Sequence, residues 1–210
     1  MKRIDKLLKV QNENKKSTIL PQNAECMEMS LHPIQAVYGN AQSFALRFNP
    51  SEQITCAANI EKVLMGEAPK IRELKEVYSI ELLEVWIMAQ IENLNDYVGV
   101  KSKMEIYQMR DLAAIILNKC DYLNASEVLI FFYKLKAGEF GSFYGVIDPQ
   151  KVGEFLNNFF EWRREEFFRV KNENEQAVRQ EKLRVSQRKA ITREEYERGR
   201  AIHPRAEPAL

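Results

Sequence analysis

"NASEVLIFFYKLKAG", residues 124–138, decides the fold class, because its apolar run VLIFFY fits either a buried strand or a buried helix. Asn124 or Ser126 can cap a helix at its start, and Gly138 is a typical stop at its end. The apolar positions continue at helical spacing as far as Leu135, and the sequence shows no second strand to pair with this one. We therefore predict a helix.

The residues before this stretch also have helical patterns. Ser79 can cap an apolar helix that ends at Gly99. A further helix is expected to start at Ser102 or Lys103. Its expected buried residues are Met104, Tyr107, Ala114, Ile115 and Leu117.

Shorter helices are expected nearer the amino terminus. Pro33 suits a first helical turn, and Gly39 with Asn40 is a typical stop. Ser51 is the expected N-cap of the helix that follows.

After residue 138 a helix is predicted to begin at Asp148 and Pro149, an N-cap followed by a first-turn proline. Its apolar side chains recur at helical spacing as far as Phe167, and beyond that the chain is dense in Arg, Lys and Glu. The predicted fold is therefore all-α, a compact multi-helix domain with a long charged C-terminal helix. We divide it into a mobile arm (1–30), a helical core domain (31–167) and a charged extension with a frayed tail (168–210).

The segment KLKAGEFGSFYGVIDP, residues 134–149, joins two of these helices and allows more than one interpretation. It lacks the Gly-Lys-Ser/Thr ending of a phosphate-binding loop and follows a helix, which argues against nucleotide binding. As a structural corner, its geometry would depend on Gly138, Gly141, Gly145 and Asp148, with Phe140, Phe143 and Tyr144 in the core. As a partner-binding site, it would present Lys134, Lys136, Phe140 and Tyr144.

The charge composition limits what the chain can bind. The net charge is +1, so no global field attracts nucleic acid, and such binding would require a local patch. The charged C-terminal helix could supply one if its basic residues share a face, although interleaved glutamates also suit a self-paired helix. The candidate nucleic-acid contacts are Arg179, Lys182, Arg184, Arg188 and Lys189.

The cysteines and histidines form no pattern typical of a metal site or a catalytic triad. Cys26, Cys56 and Cys120 are odd in number and widely spaced, which favours reduced thiols in a cytoplasmic protein. His32 and His203 stand apart, each near a proline. We expect no metal and no cofactor, and no apolar run approaches the roughly 18 residues of a membrane span.

An enzyme would need clustered catalytic groups, and the carboxylates near the central helices follow no known catalytic spacing. We therefore predict a non-enzymatic protein. The carboxylates in question are Asp111, Asp121, Glu127, Glu139 and Asp148.

The loop residues Lys136-Ala137-Gly138-Glu139-Phe140-Gly141-Ser142-Phe143-Tyr144, continuing to Pro149, carry a family resemblance. Together with MEIYQM at 104–109 and Trp162-Arg163-Arg164, they resemble the DUF6633 family, found in gut Bacteroidota and their mobile elements. The resemblance covers about residues 70–166. It implies an all-helical fold and a mobile-element context, and it supplies no activity, cofactor or catalytic residue.

Three functions remain open on these grounds. The first is an adaptor that binds another protein, for example a loader of a replicative helicase in mobile-element DNA replication. The second is a nucleic-acid-binding protein that uses the C-terminal helix. The third is an oligomeric structural protein, although the apolar positions after residue 170 do not keep a clean heptad.

Overall fold

The computed structural model describes residues 32–189 and 192–202, and every regular element in this part of the chain is a helix. This confirms the predicted all-α class. The helices are α1 (Pro33–Tyr38), α2 (Ala41–Arg47), α3 (Glu52–Ala58), α4 (Ile60–Leu64), α5 (Ile71–Val77), α6 (Ile80–Val98), α7 (Ile106–Lys119), α8 (Ala125–Ala137), α9 (Pro149–Lys189) and α10 (Arg193–Ile202).

The decisive stretch forms α8, which lies at the centre of the core. Asn124 accepts a hydrogen bond from the Glu127 backbone N–H at 2.9 Å, and the Glu127 carboxylate accepts one from the Asn124 N–H at 2.8 Å. This reciprocal capping box satisfies two free donors of the first turn. Side chains on all sides of α8 are buried, from Val128 through Leu135, because the helix packs against α3, α4 and α6.

Of the two helices before α8, the bounds of α6 were predicted correctly, whereas the start and the buried face of α7 were not. Helix α6 begins after Ser79 and ends at Gly99, as predicted. Helix α7 begins after Glu105, later than expected, and its buried face differs from the predicted one. Tyr107 and Ile115 are exposed, and the predicted burial was correct for Met104 and Leu117. The face of α7 that is buried consists of Met109, Leu112, Ala113, Ile116 and Leu117.

The amino-terminal helices follow the predicted starts only in part. Helix α1 ends at Gly39 as expected, but Asn40 is a start and not a stop: its side chain accepts from the Ser43 N–H and caps α2. Ser51 is the N-cap residue of α3, as predicted, but its side chain makes no capping hydrogen bond. Its N–H donates to the Asn49 side chain at 2.7 Å. The sequence patterns had missed α2 entirely.

Helix α9 confirms the predicted long charged helix. The Asp148 carboxylate accepts from the Gln150 N–H at 2.8 Å, so it caps the helix where expected. Close contacts divide the chain within α9 into two compact units, one ending at Arg164 and the other beginning at Glu165. In the first unit, α9 contributes Val152, Phe155, Leu156 and Phe159 to the core.

Candidate interaction surface at the glycine loop

The loop after α8 turns sharply at Gly138. This glycine takes a left-handed conformation with φ of 70°, and its N–H donates to the Leu135 carbonyl at 3.2 Å. The next N–H, of Glu139, donates to the Lys134 carbonyl at 3.1 Å. These bonds satisfy the last carbonyls of α8, so the corner is a well-formed helix stop.

The centre of the loop is held against α9 by aromatic packing. The Phe143 ring meets the Phe155 ring edge to face at 5.5 Å, and Phe140 meets Phe159 in the same way at 6.4 Å. A side chain at Gly141 would place its Cβ 3.0 Å from the Phe155 ring, and the φ of Gly141 is +129°. The loop is therefore fixed by two aromatic contacts and by a position that accepts only glycine.

Tyr144 does not join this packing. It was expected in the core if the loop were only a corner, but its side chain is 83% exposed. The neighbouring backbone is nevertheless held in place by a second segment of the chain. The Ser102 N–H donates to the Gly145 carbonyl at 3.5 Å, and Ser102 forms an isolated parallel β-bridge with Val146. An anchored loop thus holds a large aromatic side chain in solvent.

Lys134 lies away from this exposed surface. Its side chain is buried, its ammonium is ion-paired with Glu139, and the same ammonium sits 4.0 Å from the centre of the Trp162 ring. The buried charge is thereby compensated by a carboxylate and a ring face. Lys134 therefore supports the corner and is not available to a partner. The prediction that it belongs to a partner-binding surface is wrong. Phe140 is likewise held against the core and offers only part of its ring.

Lys136 is the predicted lysine that does reach the surface. Its ammonium contacts the Asn93 side-chain oxygen and lies 5.5 Å from the centre of the Tyr97 ring, which is itself exposed. Partial burial lowers the pKa of the Lys136 ammonium from its ordinary value.

Lys151 forms a second lysine–tyrosine pair that the sequence patterns did not predict. Its ammonium lies 5.6 Å from the centre of the Tyr144 ring and donates to the Ser142 carbonyl at 3.2 Å. The sequence feature that could have identified Lys151 is its place in the first turn of α9, because that turn lies next to the loop. We call Tyr97, Lys136, Tyr144 and Lys151 the loop surface.

The predicted basic contacts on α9 do not share one face. At about 100° per residue, Arg179 and Lys182 lie about 60° apart, whereas Arg184 and Arg188 lie about 140° and 180° from Arg179. Arg184 is also near Glu181, with 3.6 Å between guanidinium nitrogen and carboxylate oxygen. The side chain of Lys189 falls outside the described ones. No single phosphate-binding stripe therefore joins all five positions.

The carboxylates considered as catalytic candidates are mostly engaged in structural contacts. Asp121 is ion-paired with Lys75, and Glu127 with Arg163, whose Nε lies 2.7 Å from the carboxylate. Burial raises the pKa of the Glu127 carboxyl, and the Arg163 charge opposes that rise. Glu139 is ion-paired with Lys134, and Asp148 caps α9. Asp111 lies on the exposed side of α7.

The described residues contain no group of three or more His, Cys, Asp and Glu side chains placed to hold a metal ion. Burial raises the pKa of the Cys120 thiol to about 12, so it is a protonated core residue at neutral pH. Cys56 is partly buried, and burial also raises the pKa of its thiol. Cys26 and His203 lie outside the described residues.

Among the helices of the described residues, none has the length and apolar character needed to cross a membrane.

The described residues form an all-α fold with two lysine–tyrosine pairs, Lys136 with Tyr97 and Lys151 with Tyr144, in which both tyrosines are exposed. Residues 103–205 match the model of a family described as "Family of unknown function (DUF6633)", which confirms the predicted resemblance to a DUF6633-like family. The match begins and ends later than the 70–166 range expected, and it includes the charged part of α9. No curated protein and no solved structure matches the chain.

Proposed function

We propose that this protein is a non-catalytic adaptor, which binds another protein through the loop surface. The exposure of Tyr144 on an anchored loop carries the proposal. A large aromatic side chain in solvent buries much apolar area when a partner covers it, and a fixed backbone loses little conformational entropy on binding. Tyrosine is accordingly one of the residues enriched at the centres of protein interfaces.

Replacing Tyr144 with alanine should weaken partner binding by about tenfold or more without unfolding the protein. The matched control is Tyr107→Ala, because Tyr107 is also an exposed tyrosine, 67% accessible, on α7 of the same unit. The measurement is quantitative affinity capture from cells that make the protein, after nuclease treatment, followed by mass spectrometry. Proteins lost with Tyr144→Ala and kept with Tyr107→Ala are the expected result; equal recovery with both variants would contradict the proposal.

A finer proposal places the adaptor in mobile-element DNA replication, for example as a protein that loads or modulates a replicative helicase in Bacteroidota. It rests on the mobile-element context that the loop motif implies, and on a helical domain that continues into a charged helix. A replication protein among the nuclease-resistant, Tyr144-dependent partners would support it. Partners from unrelated processes alone would contradict it.

Nucleic-acid binding through α9 is the second candidate, favoured by the exposed cations of Arg179 and Lys182 on neighbouring positions of one face. If α9 binds DNA, Arg179→Gln with Lys182→Gln should weaken binding and reduce its salt dependence. Arg193→Gln with Arg198→Gln removes the same charge from α10 and is the control. Absence of binding to single- and double-stranded DNA at low salt would remove this candidate.

Self-association through the charged helix is the third candidate. Val178 and Val185 are exposed apolar residues seven positions apart on one face of α9, which a second copy could cover. Light scattering on the full-length protein should then give a mass above that of the monomer, and Val178→Glu with Val185→Glu should restore the monomer. A monomeric wild-type protein would rule this role out.

A further inference from the structure

We propose that the partner segment recognised by the loop surface is acidic: a peptide whose carboxylates bind the ammonium groups of Lys136 and Lys151. This inference rests on the proposed adaptor function and specifies the chemistry of its partner.

The two lysines of the loop surface lack carboxylate partners among the described residues. Lys136 contacts an amide oxygen and a tyrosine ring, and Lys151 contacts a backbone carbonyl and a tyrosine ring. Each ammonium has three donors and carries a full charge, so a neutral oxygen and a ring leave it incompletely compensated. A carboxylate supplied by a partner would form a charge-assisted hydrogen bond with each.

The described acidic residues near the loop surface form no ion pair with Lys136 or Lys151. Asp96, next to Tyr97 in the chain, is ion-paired with Lys103, and Glu139 is ion-paired with Lys134. The Asp148 carboxylate accepts the capping bond of α9. Glu154 lies one helical turn after Lys151 and forms no ion pair with it. The positive charge of the surface is therefore left for an external anion.

The two lysine–tyrosine pairs lie where two chain segments meet. Ser102, which bonds to the Gly145 carbonyl, is five residues after Tyr97, and Gly145 directly follows Tyr144. Five residues span at most about 17 Å, and the left-handed turn at Gly99 shortens this path. A short extended peptide is therefore long enough to contact both pairs.

A peptide fits this surface better than a nucleic-acid strand does. A single strand binds by stacking bases on open aromatic faces along a groove with several cations. Here each tyrosine already has a lysine ammonium over its ring, and each pair contributes one cation. Two cations, each within 6 Å of the centre of a tyrosine ring, suit spaced carboxylates with an apolar side chain between them.

The test is selection from a displayed library of random short peptides on the folded full-length protein. The selected pool is then tested against Lys136→Gln with Lys151→Gln and against Tyr144→Ala, and Lys136→Arg with Lys151→Arg is the charge-preserving control. Arg179→Gln with Lys182→Gln removes the same charge outside the loop surface. Thermal unfolding of each variant verifies that it is folded, and a short oligodeoxythymidine is titrated in parallel.

The expected pool is rich in Asp and Glu, and its binding to the double Gln variant falls by about tenfold or more. The Arg variant and the α9 variant should bind within about threefold of the wild type, because guanidinium groups also form charge-assisted hydrogen bonds with carboxylates and the α9 variant leaves the surface intact. A pool that depends on Tyr144 but is neutral or basic would overturn the acidic partner and leave the adaptor proposal standing. A pool indifferent to Tyr144 and both lysines would overturn both, as would tighter, lysine-dependent binding of the oligonucleotide.

Discussion

Gly141→Val is expected to lower the free energy of unfolding by about 3 kcal/mol or more, enough to unfold much of a marginally stable domain. Two costs add at this position. A φ of +129° is a backbone conformation that residues with a side chain rarely adopt, and the new Cβ would lie 3.0 Å from the Phe155 ring. The ring cannot move freely, since it also packs edge to face against Phe143.

Urea unfolding followed by circular dichroism measures this loss. The matched control is Gly153→Ala in α9, where a new Cβ has nothing within 4 Å. That substitution should be neutral or stabilising by up to about 1 kcal/mol, because alanine favours the helix. A Gly141→Val protein as stable as the wild type would show that the loop does not hold the conformation described here.

Arg163→Leu is expected to cost about 3 kcal/mol at neutral pH. Glu127 is only 2% exposed, and removing Arg163 leaves its carboxylate buried without the cation that now lies 2.7 Å from it. Burial already raises the pKa of Glu127 above 4.5, and the loss of Arg163 should raise it further. The folded state then binds a proton over a pH range in which the unfolded state has released it, so stability falls as pH rises through that range.

The destabilisation by Arg163→Leu should therefore shrink at acidic pH, where Glu127 is protonated in both states. Unfolding by urea at neutral and acidic pH measures the difference. Arg164→Leu removes the adjacent exposed charge and should change stability by no more than about 0.5 kcal/mol at either pH. An equal loss for both variants, or a loss that does not change with pH, would contradict the role given to the buried pair.

The helix boundaries that were predicted correctly have local causes. Asn124, Ser79 and Asp148 start helices through bonds to their own first turns, and Gly138 and Gly99 end them by adopting left-handed conformations. Such signals depend on residues within four positions, so they can be recognised in a sequence. Asn40 shows the ambiguity that remains, because an Asn after a Gly suits a stop and also a new cap.

The buried face of α7 could not be predicted in the same way. Apolar residues occur on more than one side of this helix, so both Tyr107 with Ile115 and Met109 with Leu112 were plausible core faces. The choice depends on packing against α6, which is a tertiary contact. Asn95 of α6 contributes to it by bonding to the backbone of Met104 on both its oxygen and nitrogen sides, at 3.3 and 3.4 Å.

The candidate site shows the same division between local and long-range information. The glycines and Tyr144 identified the loop from sequence, because turn residues and aromatics are informative by themselves. Lys134 appeared equivalent to Lys136, although it is enclosed by Glu139 and by Trp162, 28 positions later. Only the packing of α9 on α8 distinguishes the two lysines, and the same packing brings Lys151 to the loop.

Site-specific photo-crosslinking in cells tests whether Tyr144 lies at a protein interface. A photoreactive phenylalanine is placed at position 144, and separately at position 107 as the control. If Tyr144 lies at a protein interface, position 144 should give a discrete cross-linked protein that position 107 does not give. The same adducts from both positions, or none from position 144, would contradict it.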